Sequence, residues 1–150
     1  MPKARDIMNG TPPYCSMATP LKEIANRFAD ENLTGLLVID DDERIAGIIT
    51  ETDLLAQQGQ VHVPSLMAIF DIIIPVGEER FEQEIERMQA LTAEDLMSQQ
   101  IVSIAPDADM SEVVNMMIDK DAHHIPVLDG DLVVGLISKH EVICALAKAS

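Results

Sequence analysis

The chain contains an internal repeat, and this feature constrains the fold more than any other. Residues 4–8 (ARDIM) recur as residues 93–97 (AEDLM), a shift of 89 positions. The same shift aligns two sets of apolar residues spaced i, i+3, i+4, i+7, the pattern of a helix with one buried face. These sets are Leu21, Ile24, Ala25 and Phe28, and Met110, Val113, Val114 and Met117.

Two strands joined by a tight turn are predicted after each of these helices. The apolar runs at residues 36–40 and 125–129 both end at a turn, which is typical of buried strands. Beyond the turn the shift falls to 88, because the second turn, residues 129–131 (DGD), is one residue shorter. An Asp-Gly turn is a strong hairpin signal. The second strands are predicted over residues 44–49 and 132–137.

A final helix is predicted directly after Thr50 in the first copy and after Ser138 in the second. An acidic residue follows each hydroxyl three positions later, Asp53 in the first copy and Glu141 in the second. This spacing resembles a capping box, in which the two side chains bond each other's backbone N–H groups.

The domain organisation follows from the size of the repeat. A unit of about 55 residues is small for independent stability. We therefore expect the two copies to bury their sheets against each other with pseudo-two-fold symmetry. We predict repeat 1 over residues 1–56, a linker over residues 57–92 and repeat 2 over residues 93–150.

The linker contains an insert, residues 66–88, that begins with an apolar stretch and ends with an acidic helical pattern. Phe81, Ile85 and Met88 fall on one face of that predicted helix. Two interpretations remain open. The helix packs on the surface of its own domain, or the insert covers a partner protein or a dimer surface.

The composition disfavours several classes of function. The chain has 10 Lys and Arg against 26 Asp and Glu, a net charge of −16, which disfavours nucleic-acid and anionic-membrane partners. No apolar run reaches the roughly 18 residues of a membrane helix, and residues 1–10 lack the apolar core of a secretory signal. Cys15 and Cys144 provide no disulfide framework. We therefore expect a cytoplasmic protein.

These motifs together resemble the cystathionine β-synthase (CBS) domain family, and specifically a stand-alone tandem pair, or Bateman-type module. The resemblance covers residues 4–56 and 93–148. The family pattern runs Asp-hydrophobic-Met, then Pro-Val-hydrophobic-Asp, then Gly-hydrophobic-hydrophobic-Thr/Ser-x-x-Asp. The first motif lies at residues 6–8 and 95–97, the second at residues 126–129 and the third at residues 47–53.

The resemblance implies an α+β fold of two β-α-β-β-α repeats, packed through their sheets with pseudo-two-fold symmetry around two clefts. It also implies a regulatory, non-enzymatic module that commonly forms a homodimer and signals to a partner protein. The implied ligand is an adenosine-containing nucleotide such as AMP, ADP, ATP or a related adenosyl compound. The alternative function is a ligand-free interaction module that uses the insert.

The resemblance also implies which residues bind the nucleotide. One cleft is expected to use Thr50, Asp53, Thr34, Val102, Ala122 and His123. The other is expected to use Glu141, Ser138, Thr11, Pro13, Leu33, Thr34, His123 and His124.

The residues themselves support a ribose and phosphate site at Thr50 and Asp53. A hydroxyl at a helix N-terminus lies beside unpaired N–H groups that favour anions. A carboxylate three residues later can accept hydrogen bonds from both ribose hydroxyls. Simple helix capping is the alternative. In repeat 2 the carboxylate is Glu141, which departs from the family's Asp and puts ribose binding there in doubt.

His123 and His124 precede the strand of repeat 2 and are candidate phosphate contacts, or merely polar residues at a strand start. If they bind phosphate, affinity should rise toward pH 6. The histidines lack close metal-ligand spacing, and no catalytic motif occurs. A thiol enzyme based on Cys15 is a remote third hypothesis. The acidic exterior favours a ligand of low phosphate charge, or one carrying Mg²⁺.

Overall fold

A computed structural model of the chain describes residues 2–56 and 91–149. It confirms the predicted α+β class, with helices and two small sheets. The helices are α1 (Ala4–Ile7), α2 (Leu21–Glu31), α3 (Glu51–Ala56), α4 (Ala93–Leu96), α5 (Met110–Asp119) and α6 (Lys139–Ala149). The strands are β1 (Tyr14–Ser16), β2 (Gly35–Ile39), β3 (Ile45–Thr50), β4 (His124–Asp129) and β5 (Leu132–Ser138). The insert lies outside the described residues.

The chain forms two compact units whose segments interleave along the sequence. The repeat-2 unit contains the described parts of Met1–Pro13 and Gln100–Ser150, together with Asp40–Ile45. The repeat-1 unit contains Tyr14–Ile39 and the described part of Ala46–Gln99. The first residues of each repeat therefore belong to the unit formed mainly by the other repeat. The contiguous division at residues 56 and 92 stays a prediction.

The repeat-1 unit is built on a three-stranded sheet in the order β1-β2-β3. Strand β1 pairs parallel with β2, and Cys15 lies opposite Val38. Helix α2 buries the predicted apolar face against this sheet. The core is mainly aliphatic, as expected for a chain in which only 3% of the residues are aromatic. Its buried members are Cys15, Leu21, Ile24, Phe28, Leu36, Val38, Ile49, Ala93 and Leu96.

The repeat-2 unit is built on the antiparallel pair of β4 and β5. The register places His124 opposite Ser138 at one end and Asp129 opposite Leu132 at the turn. A single parallel bridge between Ile104 and Val127 stands where the first repeat has strand β1. The buried core of this unit consists of Ala4, Ile104, Met110, Val113, Ile125, Val127, Ile137 and Val142.

The Asp-hydrophobic-Met motif has a direct structural explanation in each unit. Asp95 Oδ2 accepts a hydrogen bond from the Thr92 backbone N–H at 2.9 Å, which caps the short helix α4. Met97 then covers Gly47, where an added Cβ would lie 2.6 Å from the Met97 sulfur. Met8 covers Gly135 in the same way. In each unit the methionine of the motif therefore packs directly on the glycine of β3 or β5.

Candidate functional site

Thr50 and Asp53 form a complete capping box where β3 passes into α3. The Thr50 N–H donates to Asp53 Oδ2 at 2.8 Å, and the Thr50 hydroxyl donates to the same oxygen at 3.1 Å. In return, the Asp53 N–H donates to Thr50 Oγ1 at 3.3 Å. The predicted cap is thus present. All of these bonds to the carboxylate reach Oδ2, so Oδ1 takes no part in the cap.

Thr34 lies beside this cap in the same unit. The Glu51 N–H donates to the Thr34 carbonyl oxygen at 3.3 Å, so the residue before β2 meets the first residue of α3. Asn32 ends α2 in the left-handed conformation with φ 53°, which turns the chain toward Thr34. Thr34, Thr50 and Asp53 therefore form one group, which we name the Asp53 cluster. Leu33 is half-buried against the core beneath it.

Ser138 and Glu141 form the corresponding cap in the repeat-2 unit, but with different geometry. The Ser138 N–H donates to Glu141 Oε1 at 3.2 Å. The Ser138 hydroxyl lies 3.1 Å from Oε1 and 2.9 Å from Oε2. The longer side chain of Glu141 bends back onto Ser138 and engages both carboxylate oxygens. The carboxylate of Asp53 engages only one.

The two histidines lie at the same end of the β4–β5 sheet as this second cap. His124 is the cross-strand partner of Ser138. His123 Nε2 lies 3.4 Å from Asp121 Oδ1, and both side chains are exposed. Asp121 has φ 49°, a left-handed conformation that Asp and Asn adopt more readily than most residues. Sequence reasoning missed Asp121, although an acidic residue two positions before His123 was visible.

The remaining predicted site residues all belong to the repeat-2 unit. Thr11 is exposed, and its N–H donates to Asn9 Oδ1 at 3.0 Å in an Asx turn. Pro13, Val102 and Ala122 are half-buried. The predicted clefts draw on residues of both units, and their assignment to two clefts stays a prediction.

The thiols have different environments. Cys15 is buried, and desolvation raises the pKa of its thiol, which disfavours the thiolate form that a nucleophile needs. Cys144 is exposed, and its sulfur lies 3.5 Å from His140 Nε2. This pair was not predicted, although its i, i+4 spacing on a helix could have revealed it. Within residues 2–56 and 91–149, no three His, Cys, Asp or Glu side chains form a metal-binding group.

The CBS domain model matches residues 4–58 and 93–148, the two repeats. The chain belongs to the CBS domain family. It is 22% identical over 140 residues to the uncharacterized protein MK0525 of Methanopyrus kandleri, which covers 93% of this chain. The chain spans only 57% of that relative's length.

Two solved CBS structures share the fold. The structure of CBSX2 in complex with AMP superposes with a TM-score of 0.76 at 16% identity, covering 99% of this chain and 98% of that one. The CBS domain pair of MJ0100, in complex with 5′-methylthioadenosine and S-adenosylmethionine, gives a TM-score of 0.73 at 17% identity, with coverage of 99% and 98%. At these identities the likeness shows the fold alone. Among the described helices of this chain, none has the length and apolar character that crossing a bilayer requires.

Proposed function

We propose that this CBS pair is a non-enzymatic regulatory sensor that binds an adenosine-containing ligand and passes its occupancy to a partner protein. The ligand class comprises AMP, ADP, ATP, with Mg²⁺ for the polyphosphates, and related adenosyl compounds. We also propose a cytoplasmic homodimer. The bound AMP of CBSX2 and the bound adenosyl ligands of MJ0100 support the ligand class.

The observation that carries the proposal is the geometry of the Asp53 cluster. The Asp53 carboxylate is oriented by two bonds to Oδ2, while Oδ1 takes no part in the cap. An ionised carboxylate oxygen can accept the vicinal hydroxyl protons of a ribose, and such charge-assisted bonds are stronger than neutral ones. The cap therefore orients the Asp53 carboxylate through Oδ2 and leaves Oδ1 able to accept hydrogen bonds from ribose hydroxyls.

The corresponding position in repeat 2 is a weaker candidate for the ribose. Both oxygens of Glu141 already lie against the Ser138 hydroxyl or N–H. A ribose there would have to compete with the cap. We therefore assign the ribose to Asp53, and we expect Val102, Ala122, His123 and the other predicted residues to contact the rest of the ligand.

A ligand panel tests the proposal. Adenosine, AMP, ADP, ATP, S-adenosylmethionine and NAD are each added to the whole chain, and the free energy of unfolding is measured. A ligand present at 100 times its dissociation constant should add about 2.7 kcal/mol. Guanosine and GTP serve as controls for the base. Stabilisation by none of the adenosine compounds would reject the sensor function and favour the alternative, an interaction module that uses the insert at residues 66–88.

A further inference from the structure

His140 and Cys144 form a pair of metal-ligating side chains on the exposed face of α6. They are four positions apart on the helix, and Cys144 Sγ lies 3.5 Å from His140 Nε2. Residues at this spacing are neighbours on a helix surface, and two histidines so placed bind one zinc ion in the H-E-x-x-H motif. Both side chains are exposed, so an ion from solvent can reach both donor atoms.

The distance between the two donor atoms fits a tetrahedral zinc ion. Zn–S and Zn–N bonds of about 2.3 and 2.0–2.1 Å, at an angle of about 109°, place the sulfur and the nitrogen about 3.5–3.6 Å apart. The observed separation of Sγ and Nε2 therefore matches the separation that Zn²⁺ requires. Thiolate and imidazole ligands both suit Zn²⁺, whereas Mg²⁺ and Ca²⁺ prefer oxygen ligands.

Helix α6 holds the pair on a fixed support. Val142 and Ala145 pack against the core of the repeat-2 unit. Because successive residues rotate by about 100° around the helix axis, His140 and Cys144 lie on the side of the helix opposite to this core. Sites built on helices keep their geometry better than sites on loops. Binding of an ion therefore requires adjustment of the two side chains and not of the backbone.

The pair supplies only half of a tetrahedral set of ligands. Structural zinc sites have four protein ligands, and within residues 2–56 and 91–149 no third His, Cys, Asp or Glu joins the pair. The carboxylate of Glu141, on the same helix, is bonded to the N–H and hydroxyl of Ser138. A second copy of the chain offers the same two ligands. Two thiolates and two neutral imidazoles would complete the set and balance the charge of Zn²⁺.

The surface around the pair suits contact between two copies. Ile143 lies between the ligands in the sequence and is 62% exposed, and Leu146 is 55% exposed. Covering such apolar side chains is favourable. The net charge of −16 opposes association of the whole chain with its copies. Helix α6 adds little to that repulsion, because it carries two Lys and one Glu.

We propose that His140 and Cys144 form a Zn²⁺ site completed by the same pair from a second copy, so that one zinc ion joins two chains through α6. Each Cys144 thiol loses its proton to solvent on binding, and each imidazole binds in its neutral form, so two protons are released for each zinc ion. Neither residue is a predicted nucleotide contact. The zinc site is therefore independent of the proposed sensor function.

Titration with Co²⁺ tests the site, because Co²⁺ occupies zinc sites and a bound thiolate gives it a charge-transfer absorption band. The whole chain is first freed of metal with EDTA, desalted and kept reduced with a phosphine, which prevents a disulfide between two Cys144 residues. We expect the band to saturate at one Co²⁺ per two chains and to disappear when Zn²⁺ displaces Co²⁺. At a free Zn²⁺ concentration ten times its dissociation constant, self-association measured by sedimentation should tighten about tenfold.

Variants of the two exposed positions test each ligand. Cys144→Ser should abolish the absorption band, and His140→Ala should weaken Co²⁺ binding by at least about tenfold, since loss of a residue that merely orients a ligand already costs that much. His140→Cys exchanges one zinc ligand for another and should retain binding. Cys15→Ala is the matched control, because Cys15 is the other free cysteine and is buried in the core of the repeat-1 unit. It should leave the band and its saturation point unchanged.

The outcomes distinguish the zinc site from the proposed function. Absence of the band in the parent chain, or its persistence in Cys144→Ser, would overturn the site. Saturation at one Co²⁺ per chain with unchanged self-association would overturn the contribution of the second copy. Stabilisation by adenosine compounds is a separate measurement, so failure of either experiment leaves the other conclusion standing.

Discussion

Replacing Asp53 with Ala should separate ligand binding from helix capping, because the chain contains a matched control. Asp95 caps α4 as Asp53 caps α3, with Thr92 N–H and hydroxyl bonds to Oδ2 at 2.9 and 3.1 Å. The corresponding Asp53 bonds are 2.8 and 3.1 Å. Asp53→Ala and Asp95→Ala therefore remove the same cap and the same charge from the same unit, and only Asp53 is a predicted ribose acceptor.

The expected magnitudes follow from these bonds. Loss of a cap costs about 1 kcal/mol, so both variants should unfold roughly 2–4 °C below the parent chain without ligand. Loss of charge-assisted bonds to ribose costs about 1.5–3 kcal/mol. The dissociation constant of the Asp53→Ala variant should therefore rise roughly 10- to 150-fold, while that of Asp95→Ala should change by less than about twofold.

Thermal unfolding with and without ligand measures both effects in one experiment. At a ligand concentration 100 times the parent dissociation constant, the parent and Asp95→Ala should gain about 2.7 kcal/mol. Asp53→Ala should gain only about 0.3–1.4 kcal/mol under the same conditions. Equal losses of ligand stabilisation in the two variants would show that the effect comes from the fold. Unchanged affinity in Asp53→Ala would refute Asp53 as the ribose acceptor.

Three further predictions follow from the packing and the titratable groups. Gly47→Ala should lower the free energy of unfolding by about 1–3 kcal/mol, because the added Cβ overlaps the Met97 side chain. Gly10→Ala is the control and should leave the free energy of unfolding unchanged, because no atom lies within 4 Å of an added Cβ there. Denaturant titration of both variants measures the difference. Burial raises the pKa of Cys15, so the native state favours the protonated thiol. Its contribution to stability should be complete below the ordinary thiol pKa of about 8.5 and be lost at higher pH, whereas Cys15→Ala should lack this loss. If His123 and His124 meet a phosphate, AMP should bind more tightly at pH 6 than at pH 8; equal affinities by calorimetry would contradict those contacts.

The sequence predicted the elements of the fold because each carries a local signal. The buried residues of α2, Leu21, Ile24, Ala25 and Phe28, are the four that the helical spacing selected. Strand β5 begins at Leu132, as predicted, and β3 begins at Ile45, one residue later than predicted. Strand ends depend on ladder hydrogen bonds rather than on side-chain pattern, so an error of one residue is expected there.

Local sequence pattern could not predict that the first residues of each repeat belong to the unit formed mainly by the other repeat. Residues 4–8 repeat as residues 93–97, but the spacing of apolar residues does not indicate which of the two sheets each copy packs against. The answer depends on long-range contacts, such as the Asn9 and Leu136 backbone pair at 2.9 and 3.0 Å. Met8 packs on Gly135 in that same unit. The candidate residues of the two units differ in the same respect. The Thr50–Asp53 cap could be predicted from sequence spacing, whereas the Asp121–His123 pair depends on the conformation of a short loop.

The two caps differ in how many carboxylate oxygens they use, and this difference is the basis on which we propose that the two repeats bind ribose unequally. The repeats keep the hydroxyl and the carboxylate at the same spacing, so in both of them the N–H of the hydroxyl residue donates to the carboxylate three residues later. One additional methylene in Glu141 is enough to bring both carboxylate oxygens onto Ser138, because the longer side chain can bend back. Asp53 is too short to do so while it caps α3, and Oδ1 is left out of the cap. Glu141→Asp should therefore create a ribose acceptor in the repeat-2 unit, in addition to Asp53 in the repeat-1 unit. Calorimetric titration should then show more adenosine molecules bound per chain than in the parent. An unchanged stoichiometry would show that the length of the carboxylate side chain does not decide which repeat binds ribose.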